Sequence, residues 1–316
     1  MVRIRKFHLG DQKQIVQLSH AVFPRFEFDL NHWQWRHKFD KNRIVVAEAA
    51  QNIVSHWAYV RRDLQQGKKT FKTGLTMAAM TDPKWQNKGL FSEVANKLFD
   101  LAKSEGLDFL FGFPNDASLD IHKRLGFVEV KTYCIYKKRL SKNIKTYKKS
   151  VLVALNDYQD ISIPPENQAN ETVNLVKNKR YIRWRYFDKP RSTYLIFNVK
   201  NKDKNLGFLV LKKFKRGDGL NLQLVDASLD KNFVNENFCK QLYLSLVLLG
   251  KKNGADYLSL WKQEINSVEN QIAHTFGFLK DTSKTFHLTV KDIGNDDRKF
   301  LINSKWNIKM GDTEIF

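Results

Sequence analysis

The spacing of apolar residues between positions 75 and 127 predicts a strand, a helix, a second strand and a short closing helix. The run Leu75–Met80 is almost wholly apolar, as expected for a buried strand. Gly106 follows a set of leucine and valine residues at helical spacing: Leu90, Val94, Leu98 and Leu101. Leu107–Phe113 is a second apolar run, and Leu125–Phe127 ends the stretch. The remaining segments are organised around this stretch.

Shorter patterned segments precede it. Alternating apolar and polar residues predict strands at Val2–Phe7, Arg43–Ala50 and Ile53–Arg61, the last two as antiparallel partners. Asp11 is placed to cap a helix that ends before Pro24. The first part of the chain therefore mixes strands and helices.

The turn between Met80 and the predicted helix suggests an anion-binding site. The first backbone N–H groups of a helix have no partner within the helix, and the helix dipole adds positive potential there. Gly89 has no Cβ to hinder a close approach to the backbone, and Lys88 adds a positive charge. Two interpretations remain open on this basis: a phosphate site, or a plain strand-to-helix turn in which Gly89 serves packing.

The ordered set of residues around this turn resembles the GNAT family of acyl-CoA-dependent N-acyltransferases. Gln86 and Gly89 match the family's pyrophosphate loop, and Asn115 with Gly126-Phe127 matches its second signature. Phe91 stands where the family usually has a small residue, and His122 stands where it usually has tyrosine. The resemblance covers roughly the first 140 residues.

The resemblance implies an α+β fold with a mixed, largely antiparallel sheet flanked by helices. It implies acyl-CoA, most simply acetyl-CoA, as co-substrate, with no metal. A neutral amine attacks the thioester directly, and backbone N–H groups near Met80 polarise the thioester carbonyl. The residues expected to bind the cofactor are Met80, Thr81, Gln86, Asn87, Lys88, Gly89, Leu90, Phe91 and Asn115.

Two residues are candidates for proton transfer. His122 is the expected acid or proton relay near the leaving sulfur, because the ordinary pKa of histidine is about 6.5; the alternative is a histidine on the helix surface. Glu27 is the expected base, since its flanking phenylalanines would raise its pKa by desolvation. His32 and His56 are alternatives for the base, and Asn115 has a second possible role as a helix cap.

The second half of the chain repeats the first weakly, at a spacing of about 150 residues. The repeated strings lie in the same order in each half: Trp35-Arg36 with Trp184-Arg185, Gly106-Leu107-Asp108 with Gly254-Ala255-Asp256, and Gly126-Phe127 with Gly277-Phe278. The segment of the second half that corresponds to the phosphate loop, residues 230–237, has no glycine. We therefore predict two GNAT-like units in tandem, the second degenerate. The predicted bounds are 1–140, a basic linker at 141–150, 151–290, and a C-terminal docking segment at 291–316.

Composition and charge limit the ligands, partners and cellular location that are expected. The formal net charge is +21, which favours an anionic ligand or a lysine-rich solvated surface. No nucleic-acid-binding motif accompanies the charge, so sequence-specific nucleic acid is not an expected partner. The two cysteines, Cys134 and Cys239, have no metal-ligand spacing, and neither a signal peptide nor a membrane span is recognisable. A cytoplasmic location is expected, and the oligomeric state stays open.

These features lead to one hypothesis and two alternatives. The first is N-acylation of a primary amine, for which an amino sugar or nucleotide-linked amino sugar is the favoured acceptor. An aminoacyl-tRNA-dependent transferase of the tandem GNAT-like type is the second, although such an enzyme has no need of the Gly89 loop. A non-catalytic GNAT-fold module that binds an anionic partner is the third, supported by the unusual His122 and Phe91.

Overall fold

A computed structural model describes residues 1–24, 27–38, 43–141, 150–164, 172–217, 219–263, 267–294 and 298–313. Its helices are α1 (Gln12–Val22), α2 (Leu30–Arg36), α3 (Leu90–Ser104), α4 (Asp116–Arg124), α5 (Lys179–Ile182), α6 (Glu236–Lys252), α7 (Val268–Thr275) and α8 (Arg298–Asn303). Its strands are β1 (Val2–Lys6), β2 (Ile44–Ala49), β3 (Asn52–Arg61), β4 (Leu64–Gln66), β5 (Lys69–Phe71), β6 (Thr73–Thr81), β7 (Phe109–Gly112), β8 (Val128–Arg139), β9 (Leu152–Ala154), β10 (Thr172–Leu175), β11 (Tyr194–Asn201), β12 (Lys204–Arg216), β13 (Gly219–Leu229), β14 (Tyr257–Trp261), β15 (Leu279–Asp292) and β16 (Lys305–Trp306).

The chain divides into two compact units. The first comprises Met1–Gln65, Lys69–Lys131 and His287–Ser304, and the second comprises Gln66–Lys68, Thr132–Phe286 and Lys305–Phe316. These bounds differ from the predicted division at 140 and 151, because β8 and β15 each begin in one unit and end in the other. A local sequence pattern can indicate a strand but not a partner that lies far away along the chain. Most of the predicted basic linker, residues 142–149, lies outside the described residues.

The first unit has a mixed sheet. Strands β1, β2, β3 and β6 are successive antiparallel neighbours, β7 then pairs parallel with β6, and the end of β15 pairs antiparallel with β7. Helix α3 connects β6 to β7. Its apolar face packs in a core with Trp57 and Tyr59 of β3, through the buried residues Leu90, Val94, Ala95, Leu98, Leu101 and Ala102.

The second unit has the same arrangement of elements. Strands β9, β11, β12 and β13 are antiparallel neighbours, and β14 pairs parallel with β13 and antiparallel with β8. Helix α6 connects β13 to β14, as α3 connects β6 to β7, and its buried face includes Phe238, Leu242 and Leu246. Together the units confirm the predicted fold class, with mixed and largely antiparallel sheets flanked by helices.

The repeated glycines lie at corresponding places. Gly106 and Gly254 follow α3 and α6 with φ of 66° and 68°, and Gly126 and Gly277 follow α4 and α7 with φ of 85° and 62°. A left-handed residue commonly ends a helix, and glycine adopts that conformation without steric cost. The repeated strings therefore mark the helix ends that the two halves have in common.

The C-terminal segment is shared between the units. Residues 291–304 belong to the first unit and 305–316 to the second. In the second unit, Lys309 Nζ lies 2.6 Å from Glu269 Oε1 of α7, and Arg185 donates to the carbonyl oxygens of Gly311 and Thr313 at 2.7 and 2.9 Å. These buried charged groups hold residues 309–313 against the second unit.

Candidate active site

The first unit contains a point where two parallel strands separate. Strands β6 and β7 pair from Thr73–Phe109 to Leu75–Phe111, and the Thr76 hydroxyl still donates to the Phe111 carbonyl at 3.2 Å. Beyond this point β6 continues to Thr81, whereas β7 ends at Gly112. The far half of β6 therefore has a partner in β3 but none in β7, which leaves its β7-facing side available to a ligand.

A β-bulge interrupts β6 just beyond the separation. His56 of β3 stands opposite Met80, and Ala58 stands opposite Met77, so Ala78 and Ala79 both face Trp57. Ala78 has a φ of 52°, a left-handed conformation that is uncommon for a residue with a side chain. Ala78 and Ala79 are half-buried, although most of the strand is fully buried. A bulge of this kind redirects backbone groups at one place in a sheet.

The predicted phosphate loop joins this strand to α3. Asp82 caps a short 3-10 helix over Pro83–Trp85, and Gln86 donates from its side chain to the Thr81 carbonyl at 3.0 Å. Asn87 and Gly89 follow with φ of 61° and 76°. A Cβ placed on Gly89 would meet nothing within 4 Å, so the glycine is required by its backbone conformation and faces open space.

Helix α3 begins without a side-chain cap. Gly89 is its N-cap residue, and the N–H groups of Ser92 and Glu93 both bond to the Gly89 carbonyl. No acceptor among the described residues pairs with the N–H groups of Gly89, Leu90 and Phe91. Three unpaired donors at the positive end of a 15-residue helix can together bind a phosphate group.

The corresponding helix of the second unit, in contrast, begins with a side-chain cap. Asn235 is the N-cap residue of α6, and its side chain accepts a hydrogen bond from the Phe238 N–H at 3.0 Å. Asp230 lies in the preceding loop and accepts from the Asn232 N–H. The capping side chain and the carboxylate make this helix end unfavourable for an anion.

The other residues predicted to bind the cofactor have their own local roles. Met80 is buried in β6, and the Thr81 hydroxyl lies 2.9 Å from the Ser55 hydroxyl. The Lys88 ammonium lies 4.9 Å from the ring centroid of Trp85. The Phe91 ring packs on the Trp57 ring, with the two centroids 5.0 Å apart. The large side chain at position 91 therefore points into the core, so it does not obstruct the loop.

Asn115 acts as a helix cap. Its Oδ1 accepts from the Ser118 N–H at 2.9 Å and from the Ser118 hydroxyl at 2.8 Å, at the start of α4. The side chain is exposed, and its Nδ2 donates to none of the described residues. Of the two predicted roles, the cap is observed, and the amide N–H₂ group remains available.

His122 lies inside the first unit beside the end of β7. Its ring centroid is 5.5 Å from that of Trp57 and 4.8 Å from that of Phe127, and 4% of the residue is exposed. Burial lowers the pKa of His122 to about 4. At neutral pH the ring is therefore uncharged, and it lacks the labile proton that the predicted acid would need.

The hydrogen bonds of His122 indicate its tautomer. Its Nδ1 lies 3.2 Å from Thr289 Oγ1, and the Thr289 hydroxyl donates to the Gly112 carbonyl at 3.4 Å. Since this hydroxyl has one hydrogen, it accepts from His122 Nδ1–H. Nε2 then carries a lone pair, and His122 fits a hydrogen-bond acceptor better than an acid.

Glu27 does not have the environment that its predicted role requires. The residue is exposed, while the neighbouring Phe28 is buried, and Phe26 lies outside the described residues. Exposure removes the desolvation that made Glu27 a candidate base. The alternative candidate His56 is fully buried and bonds through Nδ1 to the Ala78 carbonyl at 2.8 Å. Its place directly beside the bulge follows from strand pairing, which the local sequence pattern does not specify.

Within the described ranges, no group of three or more histidine, cysteine, aspartate or glutamate side chains could hold a metal ion. None of the helices in that part of the chain is long and apolar enough to cross a membrane.

Comparison with known proteins identifies the family. Residues 3–130 match the family described as acetyltransferase (GNAT) domain. No curated protein sequence shows significant similarity to the chain. Solved structures are similar to this chain over most of its length. Their sequence identities are so low that the similarity shows the fold alone.

Three of these structures are typical. A GCN5-related N-acetyltransferase from Anabaena variabilis ATCC 29413 has a TM-score of 0.68 at 11% identity, over 93% of this chain and 73% of the other. A probable N-acyltransferase from Enterococcus faecalis V583 has a TM-score of 0.68 at 9% identity, with the same coverage. N-myristoyltransferase from Saccharomyces cerevisiae with bound myristoyl-CoA has a TM-score of 0.63 at 11% identity, over 92% of this chain and 79% of the other. The protein therefore carries a GNAT acetyltransferase domain over residues 3–130.

Proposed function

We propose that the protein transfers an acetyl group from acetyl-CoA to a primary amine of a small molecule. The first unit is the working one, and the second is a degenerate copy that lacks a phosphate loop. In this proposal the first unit binds the pyrophosphate of CoA and the second unit does not.

The unpaired N–H groups of Gly89, Leu90 and Phe91 are the observation that carries this proposal. They converge at the N-terminus of α3, where Lys84 and Lys88 are exposed and add positive charge. The residues present therefore fit a pyrophosphate. From this loop, the half of β6 that β7 leaves unpaired offers a backbone for the pantetheine arm.

The chain's own groups would act at the other end of that arm. The amine nitrogen attacks the thioester carbon, the carbon–sulfur bond breaks, and CoA leaves as a thiolate. Backbone N–H groups at the bulge near Met80 stabilise the negative charge on the thioester oxygen. The acceptor's ammonium must first lose a proton. The exposed Glu27 is not favoured for that step.

An amino sugar or a nucleotide-linked amino sugar is the acceptor class that we favour. The support is the net charge of +21, which attracts an anionic acceptor. The acyl length is a separate question, because the similar N-myristoyltransferase structure holds myristoyl-CoA. A panel of acyl-CoA donors from acetyl to myristoyl therefore belongs in the same assay.

Release of free CoA thiol tests the proposed activity directly. The wild-type chain is incubated with each acyl-CoA and with a panel of amines, including amino sugars and nucleotide-linked amino sugars. We expect amine-dependent thiol release with at least one pair and its loss in Gly89→Glu. Absence of amine-dependent release from every pair in the wild type would contradict the proposed function.

A non-catalytic binding role is the second candidate. His122 favours it, because an uncharged histidine replaces the usual tyrosine and cannot supply a proton at neutral pH. This candidate predicts CoA binding that Gly89→Glu abolishes, with no turnover of any amine. The thiol-release assay and a binding measurement together separate the two candidates.

A further inference from the structure

His56 makes one directed hydrogen bond inside the first unit. The residue is fully buried in β3, and its Nδ1 lies 2.8 Å from the Ala78 carbonyl oxygen. A carbonyl oxygen only accepts, so Nδ1 carries the hydrogen. Nε2 then carries the lone pair, and none of the described residues donates to it. Burial lowers the pKa of His56 to about 4, so the ring stays neutral and keeps this tautomer.

The hydrogen bond holds a strained part of the backbone. Ala78 has a φ of 52°, a left-handed conformation that is unfavourable for a residue with a Cβ. Ala78 and Ala79 also have no partner in the register between β3 and β6. Backbone strain of this kind persists only where the surrounding structure fixes it. The His56 side chain donates the hydrogen bond that the Ala78 carbonyl oxygen accepts.

The direction of the next N–H group follows from peptide geometry. None of the described peptide bonds is cis, and in a planar trans peptide the C=O and the following N–H point in opposite directions. Since His56 fixes the Ala78 carbonyl, it also directs the Ala79 N–H away from the ring. The neighbour of β6 on the side opposite β3 is β7, which no longer pairs with it beyond Leu75. The Ala79 N–H is thus directed toward the open side of β6.

We propose that His56 is a positioning residue, which aims the Ala79 N–H at the thioester carbonyl oxygen of bound acyl-CoA. This inference rests on the proposed function. His56 does not touch the substrate. It prevents the Ala78–Ala79 peptide from rotating and so preserves a hydrogen-bond donor for the oxygen that becomes negative as the amine attacks. Loss of one such donor lowers kcat by about 100- to 1000-fold in enzymes where it has been removed.

Four variants separate this role from a structural one. In His56→Asn the side-chain amide can take the place of Nδ1, whereas His56→Gln places its amide near Nε2, and His56→Leu has no donor. His37→Gln is the matched control, because His37 is also fully buried and its ring centroid lies 6.4 Å from that of His56. His37 makes no hydrogen bond to the bulge.

The measurements are kcat, the Kd for acetyl-CoA and the backbone ¹⁵N–¹H signal of Ala79 in alanine-labelled protein. We expect kcat to fall by about 10- to 1000-fold in His56→Leu and His56→Gln, with the Kd changed less than about threefold. His56→Asn should recover most of kcat and keep the Ala79 signal near its wild-type position. His37→Gln should lose stability but keep kcat.

Several results would overturn the proposal. Unchanged kcat in His56→Leu would do so, as would an equal fall in His37→Gln or an Ala79 signal that is the same in all variants. If the wild type has no turnover, the proposed function fails. The Ala79 signal then still decides whether His56 holds the bulge, because it can be measured without activity.

Discussion

At position 122 a histidine ring is enclosed by Trp57, Phe127 and Thr289 in the first unit. The position in the chain suggested an acid, but the rings of Trp57 and Phe127 surround the imidazole with apolar groups. Burial therefore lowers the pKa to about 4. The chemistry of a single residue depends here on packing that the sequence motif does not encode.

A pH–rate profile tests the neutral state of His122. Because its pKa is about 4, the ring should not change charge between pH 5 and pH 8. We expect His122→Phe to lower kcat without altering the shape of the profile in this range, and to leave the Kd for acetyl-CoA nearly unchanged. A limb near pH 6.5 in the wild type that disappears in His122→Phe would show that the ring does titrate during catalysis.

Gly112 shows how closely two strands approach where they separate. A Cβ at this position would fall on Thr76 Oγ1 and would lie 3.6 Å from His122 Cε1. We expect Gly112→Ala to destabilise the first unit by about 1–3 kcal/mol in urea unfolding, because the residue overpacks a buried site. Thr76→Ala removes the Oγ1 atom with which the added Cβ would collide. The double variant should therefore lose less stability than the sum of the losses in the two single variants. Strict additivity of the two substitutions would argue against the close contact.

At the scale of elements, α3 and α6 occupy corresponding places but begin differently. Gly89 has no side chain that could cap α3, whereas Asn235 caps α6 with its own side chain. The sequence predicted that the two helix starts differ, because residues 230–237 contain no glycine. It could not predict the bulge at Ala78, since the conformation there depends on His56 in another strand.

Another interaction of elements joins the C-terminal segment to α7. Lys309 and Glu269 are both buried, with 2.6 Å between Nζ and Oε1. We expect Lys309→Met to destabilise the second unit by about 3–5 kcal/mol, because it leaves a buried carboxylate without its counter-ion. Chemical unfolding is the measurement. The double variant Lys309→Met/Glu269→Met should be much less destabilised, and equal losses in the two would contradict this explanation.

At the scale of the whole molecule, the bounds of the two units differ from the predicted ones, because strands β8 and β15 each begin in one unit and end in the other. The apolar pattern identified β7 and the preceding helix α3, because their periodicity is local. The pairing of β15 with β7 joins residues such as Thr289 and Gly112, which are far apart in sequence. No short-range pattern carries that information, so the sequence placed the boundary between the halves at the end of β8.

Three buried histidines of the first unit should make the protein sensitive to acid. Burial lowers the pKa of His56 and of His122 to about 4 and lowers that of His37 well below its ordinary value. Between pH 6.5 and pH 4 the unfolded chain binds protons that the folded chain excludes. The stabilisation is therefore complete above pH 6.5 and is lost as the pH falls toward 4, by roughly 3 kcal/mol for each of His56 and His122.

Urea unfolding at several pH values measures this effect. We expect His122→Phe to flatten the fall in unfolding free energy between pH 6.5 and pH 4. An identical slope in wild type and His122→Phe would mean that the buried ring becomes protonated without unfolding.

The most direct test of the account is thermal unfolding with and without acetyl-CoA in the wild type, Gly89→Glu and Gly106→Glu. Gly106 is the matched control, because it ends the same helix with a φ of 66° and also faces open space. A ligand at about 100 times its Kd adds about 2.7 kcal/mol of stability. We expect an upward shift in Tm for the wild type and Gly106→Glu and none for Gly89→Glu. An equal shift in all three proteins would contradict binding of CoA at the start of α3.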